Sequence, residues 1–173
     1  MPAIPPLPLD QLPEVLRSEI SGRLEAGTLS TATPLQIWGR RPDAALAWTQ
    51  LLGALQEDKA LLDPRLRELV RLRIASFTQC QTCQAARKSE TVTEEDIACL
   101  APDDARFSRQ EQVALWYADA FVNDWFSIDD MTYTALAEHF TTDEVVELQM
   151  FCAMMLAGGR LALVQRVWEA DEA

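Results

Sequence analysis

An all-α domain of about seven to nine helices is what this sequence predicts. Three observations carry that expectation. Apolar residues recur at three- and four-residue spacing along most of the chain. N-cap and capping-box signals at Asp63-Pro64, Ser108 to Glu111 and Thr141 to Glu144 open several of these runs. No segment shows the apolar/polar alternation of a half-buried strand. The 173 residues, 49% hydrophobic and 24% charged, suit one domain with a substantial core and exclude a collagen-like, coiled-coil or wholly disordered chain.

The elements follow in order. Residues 1–9, MPAIPPLPL, form an extended proline-rich arm, because proline fixes φ and removes a backbone donor. Residues 10–168 make the helical domain, with no linker long enough to divide it. Gln11 to Ala26 carries Leu12, Val15, Leu16, Ile20 and Leu24 at helical spacing, and Gly27 caps its end. Pro34 to Gly39 is a short turn of helix. Pro42 to Gln56 begins with proline at an early helical position. Asp63 and Pro64 open a helix through Leu66, Leu69, Val70, Ile74 and Phe77, with Arg65, Arg67, Glu68, Arg71 and Arg73 on its polar face.

A segment from Cys80 to Ser89 follows, then a short helix from Thr93 to Leu100, where Thr93 and Asp96 cap reciprocally. The box at Ser108 opens a helix through Val113, Leu115, Trp116, Ala120 and Phe121. Asp129 or Asp130 caps the next, through Met131, Leu136 and Phe140. The box at Thr141 opens the last, and Gly158-Gly159 kinks or breaks it before Leu161 to Trp168. The tail, 169–173, is acidic and frayed.

Charge narrows the partners. Lys plus Arg number 15 against 27 Asp plus Glu, a net charge of −12. Such a surface repels a phosphate backbone and an anionic membrane surface, so neither nucleic acid nor membrane is expected. The longest apolar run, Met150 to Gly159, is far short of the roughly 20 residues of a span, and the amino terminus lacks a signal-peptide pattern. With a reducing cytoplasm as the expected location, the four cysteines are free thiols by default, and a Cys-x-x-Cys pair there is redox-active or metal-binding. Zinc takes four ligands, while Cys99, Cys152 and His139 are scattered, so no metal and no cofactor is expected. Cys99 and Cys152 follow apolar patterns and read as buried small hydrophobes. His139 is read as interacting with a helix end, Met150, Met154 and Met155 as core or subunit contact, and most of Trp116, Tyr117, Phe121, Trp125 and Phe126 as core.

The chemistry concentrates in Asp63 to Glu90. Glu68 is followed twelve residues later by Cys80, then Cys83, then Arg87. On a helix beginning near Cys80, residues 80, 83 and 87 share a face. Two thiols at that spacing can close a disulfide, and a helix start stabilises a thiolate, which is the nucleophile. Pattern alone favours Cys80, nearer the helix end, as the attacking sulfur.

This stretch resembles the carboxymuconolactone decarboxylase superfamily, and within it the alkylhydroperoxidase AhpD-like branch. The likeness rests on RELVRLRIA before the Cys-x-x-Cys, on Glu68 with eleven residues between it and Cys80, and on the downstream helices FSRQEQVALWYADAF and HFTTDEVVELQMF. It spans roughly Ala44 to Val167. The resemblance implies an all-helical domain assembling into a homo-oligomer, a trimer or hexamer. It implies peroxide reduction with Cys83 attacking, Cys80 resolving and Glu68 relaying a proton, and a dithiol protein as reductant. The family pattern has a histidine four residues after the second cysteine, where this chain has Arg87. Arginine stays charged and cannot relay a proton, though it can lower a thiol pKa or pair with Glu68; a surface ion pair is the equal alternative for Arg87.

The function expected is therefore a thiol-dependent peroxidase or disulfide oxidoreductase acting on a peroxide or small disulfide. The alternatives are a non-catalytic helical oligomer with vestigial thiols and, behind it, a decarboxylase of the kind that names the superfamily.

Overall fold

The computed structural model describes residues 1–57 and 59–170. Among these residues there are nine α-helices and no strand. They are α1 (Glu14–Glu25), α2 (Thr33–Trp38), α3 (Pro42–Gln56), α4 (Pro64–Thr78), α5 (Gln81–Ala85), α6 (Glu94–Ala98), α7 (Arg109–Asn123), α8 (Asp130–Ala137) and α9 (Thr142–Gln165). Short 3-10 turns lie at Leu9–Gln11, Trp125–Ser127 and Val167–Ala170. The acidic tail expected at 169–173 falls outside the described residues from 171 onward.

The chain forms two compact units. One holds residues 1–57, 59 and 160–170; the other holds Ala60–Gly159. In the first, Leu12, Leu16, Ile20, Leu35 and Ala45 form the core. The proline-rich arm lies along α2, with Leu7 N–H donating to the Gln36 carbonyl and Gln36 Nε2 donating back to the Leu7 carbonyl. Gly27, at φ +70°, supplies the left-handed residue after α1. Arg23 is buried and paired with Glu19 and Glu57 at 2.6 and 2.5 Å.

In the second unit α4 is the central element. Leu69 and Leu72 join Leu115 of α7 and Val92, Leu100 and Phe107 in one apolar cluster. Asp63 caps α4 by accepting from Arg65 N–H at 2.8 Å. The boxes at Thr93, Ser108 and Asp129 each show both reciprocal bonds, so Asp129 rather than Asp130 caps α8. Thr141 and Glu144 are bonded reciprocally at the start of α9.

The structure corrects several expectations. The polar stripe of α4 does not all face water. Glu68 and Arg71 are buried, at 2% and 6% exposure. The stripe is instead the seam that binds α4 to its neighbours: Arg65 reaches Asp96 and Glu111, and Arg73 forms a two-bond pair with Asp119. Gly158-Gly159 does not break the last helix, which runs unbroken for 24 residues. A Cβ on Gly159 would lie 2.8 Å from Thr78 Cβ, so this glycine serves a close approach to α4. Helix α9 is also long and apolar enough, by length and composition, to cross a membrane, with a mean hydropathy of 1.3. Its Leu148, Phe151, Cys152 and Met154 are buried within the protein.

Cys152 is buried as expected, but Cys99 is exposed. It ends a helix of only five residues, too short to carry it under cover. Of the five aromatic residues from Trp116 to Phe126, Tyr117 is buried, whereas Trp116, Trp125 and Phe126 are exposed. Trp125 and Phe126 stand on the 3-10 turn that leaves the helix. The His139 carbonyl accepts from Gln110 Nε2 at 2.9 Å, at the junction of α8 and α9.

Candidate active site

The site is built where α4 stops. Gln79 takes a left-handed conformation, φ 52°, and turns the chain sharply after Thr78. Cys80 then caps the single-turn helix α5, with its Sγ accepting from the Cys83 N–H at 3.3 Å. The Cys80 and Cys83 sulfurs are bonded to each other, with their Cα atoms 5.1 Å apart. Spacing of three residues around one helical turn makes this ring possible. The two residues differ in exposure: Cys80 is fully buried and Cys83 is half-buried.

Glu68 and Arg71, three residues apart on α4, face this turn from below. Arg71 Nε donates to Glu68 Oε2 at 2.7 Å and one terminal nitrogen donates to Oε1 at 2.8 Å. The guanidinium also reaches outward, donating to the carbonyls of Cys83 at 2.5 Å and Ala86 at 2.7 Å. Glu68 Oε1 additionally accepts from the Lys88 N–H at 2.9 Å. Both oxygens of Glu68 thus have partners, and one buried ion pair holds the chain on the far side of the disulfide. Burial pushes the Lys88 ammonium down from its ordinary value, with Arg71 adding to the effect and Glu68 opposing it.

Arg87 departs from the expected placement. Helix α5 ends at Ala85, and Ala86 is extended at φ −67°, ψ 143°, so residue 87 does not share a helical face with Cys80 and Cys83. Two guanidiniums hold the end of α5: Arg71 donates to the Cys83 and Ala86 carbonyls, and Arg87 donates to those of Gln84, Ala85 and Ala86. The Arg87 guanidinium pairs with Glu94 at 2.9 and 3.1 Å, not with Glu68. That bond raises the Arg87 pKa and lowers that of Glu94.

The structure therefore brings Glu68 and the backbone carbonyls of Cys83 and Ala86 to one guanidinium, while the Arg87 side chain is partly exposed beside Glu94. Arg71 is the member that spacing missed. Its signal was present, since an arginine three residues after a glutamate makes a natural helix pair, but three arginines competed for it. Among the described residues no group of three or more His, Cys, Asp or Glu is placed to hold a metal ion. A groove of about 470 Å³ lined by Arg109, Gln112, Trp116, Met131 and Thr132 contains neither cysteine.

Residues 42–120 match the carboxymuconolactone decarboxylase family. The chain is 33% identical over 149 residues to the uncharacterized protein YnjA of Escherichia coli K12, covering 82% of this chain and 80% of that one. Its fold is similar to that of an uncharacterized peroxidase-related protein with an alkylhydroperoxidase AhpD core from Ralstonia eutropha. The TM-score is 0.75 at 19% identity, over 96% of this chain and 90% of that one. It is equally similar in fold to the debrominase Bmp8, with a TM-score of 0.74 at 16% identity, over 95% of this chain and 90% of that one. With an all-helical AhpD-like fold and a relative of this identity over most of its length, the chain belongs to the carboxymuconolactone decarboxylase family.

Proposed function

We propose that this protein is a thiol-dependent oxidoreductase with an antioxidant, peroxidase-related role, working through a Cys80–Cys83 pair that cycles between dithiol and disulfide. The observation that carries this reading is the bonded pair itself, with Cys80 buried and Cys83 half-buried. An incoming substrate meets Cys83, while Cys80 waits behind it. That order matches the assignment of Cys83 as the attacking and Cys80 as the resolving thiol.

The cycle balances in three steps. The Cys83 thiolate attacks a peroxide oxygen, the O–O bond breaks, and the leaving oxide takes up a proton, giving a sulfenic acid. The Cys80 thiol condenses with the sulfenic acid, forming the S–S bond and releasing water. A partner dithiol protein reduces the disulfide through a mixed disulfide, supplying two electrons and two protons. A small disulfide substrate enters by the same exchange. No cofactor is needed. A reducing cytoplasm and a homo-oligomer, trimer or hexamer, belong to this reading on the strength of the family likeness.

One observation favours a second reading, a non-catalytic helical oligomer with vestigial thiols: Arg87 has turned away to Glu94. One experiment separates the two. Fully reduced protein is treated with one equivalent of hydrogen peroxide, or of a small disulfide, and free thiols are counted over time. Loss of two thiols with a mapped Cys80–Cys83 disulfide is expected. A Cys83→Ser variant should lose turnover, whereas Cys80→Ser should stall as an adduct on Cys83. Thiols that persist with both oxidants would leave the scaffold reading.

A further inference from the structure

We propose that the buried Glu68–Arg71 pair is a fixed ionic clamp that positions the Cys83 turn and withholds Glu68 from proton transfer, so that the cysteine pair exchanges with the thiols and disulfides of a partner far better than it reduces peroxides. This rests on the dithiol–disulfide reading above and names its substrate class.

The argument begins with the hydrogen-bond inventory. A carboxylate relays a proton most readily through an oxygen that no fixed cation holds, or through a partner that can itself gain or lose a proton. Glu68 has neither among its bonds. Oε2 is held by Arg71 Nε, and Oε1 by an Arg71 terminal nitrogen and the Lys88 backbone N–H. Arginine stays protonated at any working pH, and an amide N–H does not titrate. The pair is also sealed, with side-chain exposure of 7% for Arg71 and 1% for Glu68, so bulk water does not replace these partners. The only other cation expected to serve the site, Arg87, is engaged with Glu94.

The two reactions differ in what they need from such a site. Peroxide reduction expels an oxide that must be protonated, and a positioned acid assists that step by about a hundredfold or more. Thiol–disulfide exchange expels a thiolate, a far better leaving group, and needs mainly an accessible sulfur and a held geometry. The clamp supplies the second requirement. Arg71 fixes the carbonyls of Cys83 and Ala86, so the chain around the reachable sulfur does not reorganise when the S–S bond opens. In the exchange, a partner thiolate attacks Cys83 Sγ, the S–S bond breaks, and the electron pair leaves on Cys80, which takes up the proton given by the partner's second thiol. The second partner thiol then displaces Cys83, and the partner carries away the disulfide.

Arg71 acts here as a positioning residue through charge and hydrogen bonds, and the test reads charge as well as rate. Second-order rate constants are measured for reduced protein with hydrogen peroxide and with oxidised glutathione, alongside free cysteine. The pH midpoint of Cys83 alkylation by iodoacetamide is measured for Arg71→Met, Glu68→Gln and the double variant. A peroxide rate within about tenfold of free cysteine is expected, with disulfide exchange enhanced a hundredfold or more. The Cys83 midpoint should rise in Arg71→Met, which leaves Glu68 uncompensated, and fall in Glu68→Gln, which leaves Arg71 uncompensated. The double variant, neutral and of similar volume, should fold and return the midpoint towards the parent.

Three results would overturn the clamp. A peroxide rate a hundredfold above free cysteine that collapses in Glu68→Gln would make Glu68 a working acid. Midpoints moving the same way in both single variants, or unmoved in both while exchange stays fast, would make the pair a structural filler. Loss of reactivity towards both oxidants in the parent protein would instead remove the redox reading itself.

Discussion

The Glu147 carboxylate on α9 accepts from the backbone N–H groups of both Leu61 and Leu62, at 2.8 to 2.9 Å. One side chain thereby satisfies two donors in the turn that leads into α4, and it does so while buried. The orientation of α4, and with it Glu68 and Arg71, depends on this anchor. Replacing Glu147 with Ala leaves the Leu62 donor buried without a partner, a loss of about 1–3 kcal/mol for such a group. Urea unfolding should show the drop, with Glu147→Gln losing less because its amide oxygen still accepts. An Ala variant as stable as the parent would mean that water replaces the carboxylate.

Gly159 sets the approach of α9 to α4. An alanine there gains helix propensity of up to about 1 kcal/mol, but its Cβ meets Thr78 Cβ at 2.8 Å and Cγ2 at 3.0 Å. Overpacking of this kind costs about 1–3 kcal/mol. Gly159→Ala should therefore have a lower denaturation midpoint. A higher midpoint would show that α9 shifts without loss.

The two cysteines outside the pair should behave oppositely. Cys99 is exposed, while Cys152 is enclosed and burial pushes its thiol well up from the ordinary range. With the Cys80–Cys83 bond intact, a thiol reagent should modify one group quickly, at Cys99, and a second only on unfolding. Two fast thiols in the folded oxidised protein would contradict the placement of Cys152.

Asp96 sets an acid limit. The Arg65 guanidinium, bonded at 3.0 Å, holds its carboxyl below the usual carboxylate range, and the Thr93 backbone and side chain add to the effect while burial opposes it. A depressed folded-state pKa means that its stabilisation is full above the unfolded value, near 3.9, and is lost as pH falls through the folded one. Stability measured against pH should therefore fall below about pH 4, and Asp96→Asn should flatten part of that slope while lowering stability at neutral pH. An unchanged slope would place the acid sensitivity elsewhere.

Much of the fold was legible in the chain. Helix α3 begins and ends where its proline and periodicity place it, and the boxes at Thr93, Ser108 and Thr141 form as local bonds because everything they need lies within four residues. The cysteine spacing likewise announced a pair able to bond. What was not legible depends on residues far apart. The end of α5 lies where Arg71 reaches carbonyls twelve and fifteen residues away, and Gly159 of α9 lies against Thr78, far from it in sequence. Periodicity marked Glu68 and Arg71 as polar, which is correct, but a polar stripe can face partners instead of solvent. Arg87 was drawn into the site by position along an assumed helix, and left it when that helix ended early.

The segment from Gln79 to Thr93 is fastened to α4 at both ends, by Arg71 on the Cys83 and Ala86 carbonyls and by Arg65 on the Thr91 carbonyl. The disulfide therefore closes a small ring inside a larger one that non-covalent bonds already close. Opening the inner ring returns little conformational entropy to the chain, since loop closure of so few residues constrains little. Reduction of the Cys80–Cys83 bond should therefore lower the melting temperature by only a few degrees, and a thermal scan of the dithiol against the disulfide form checks it.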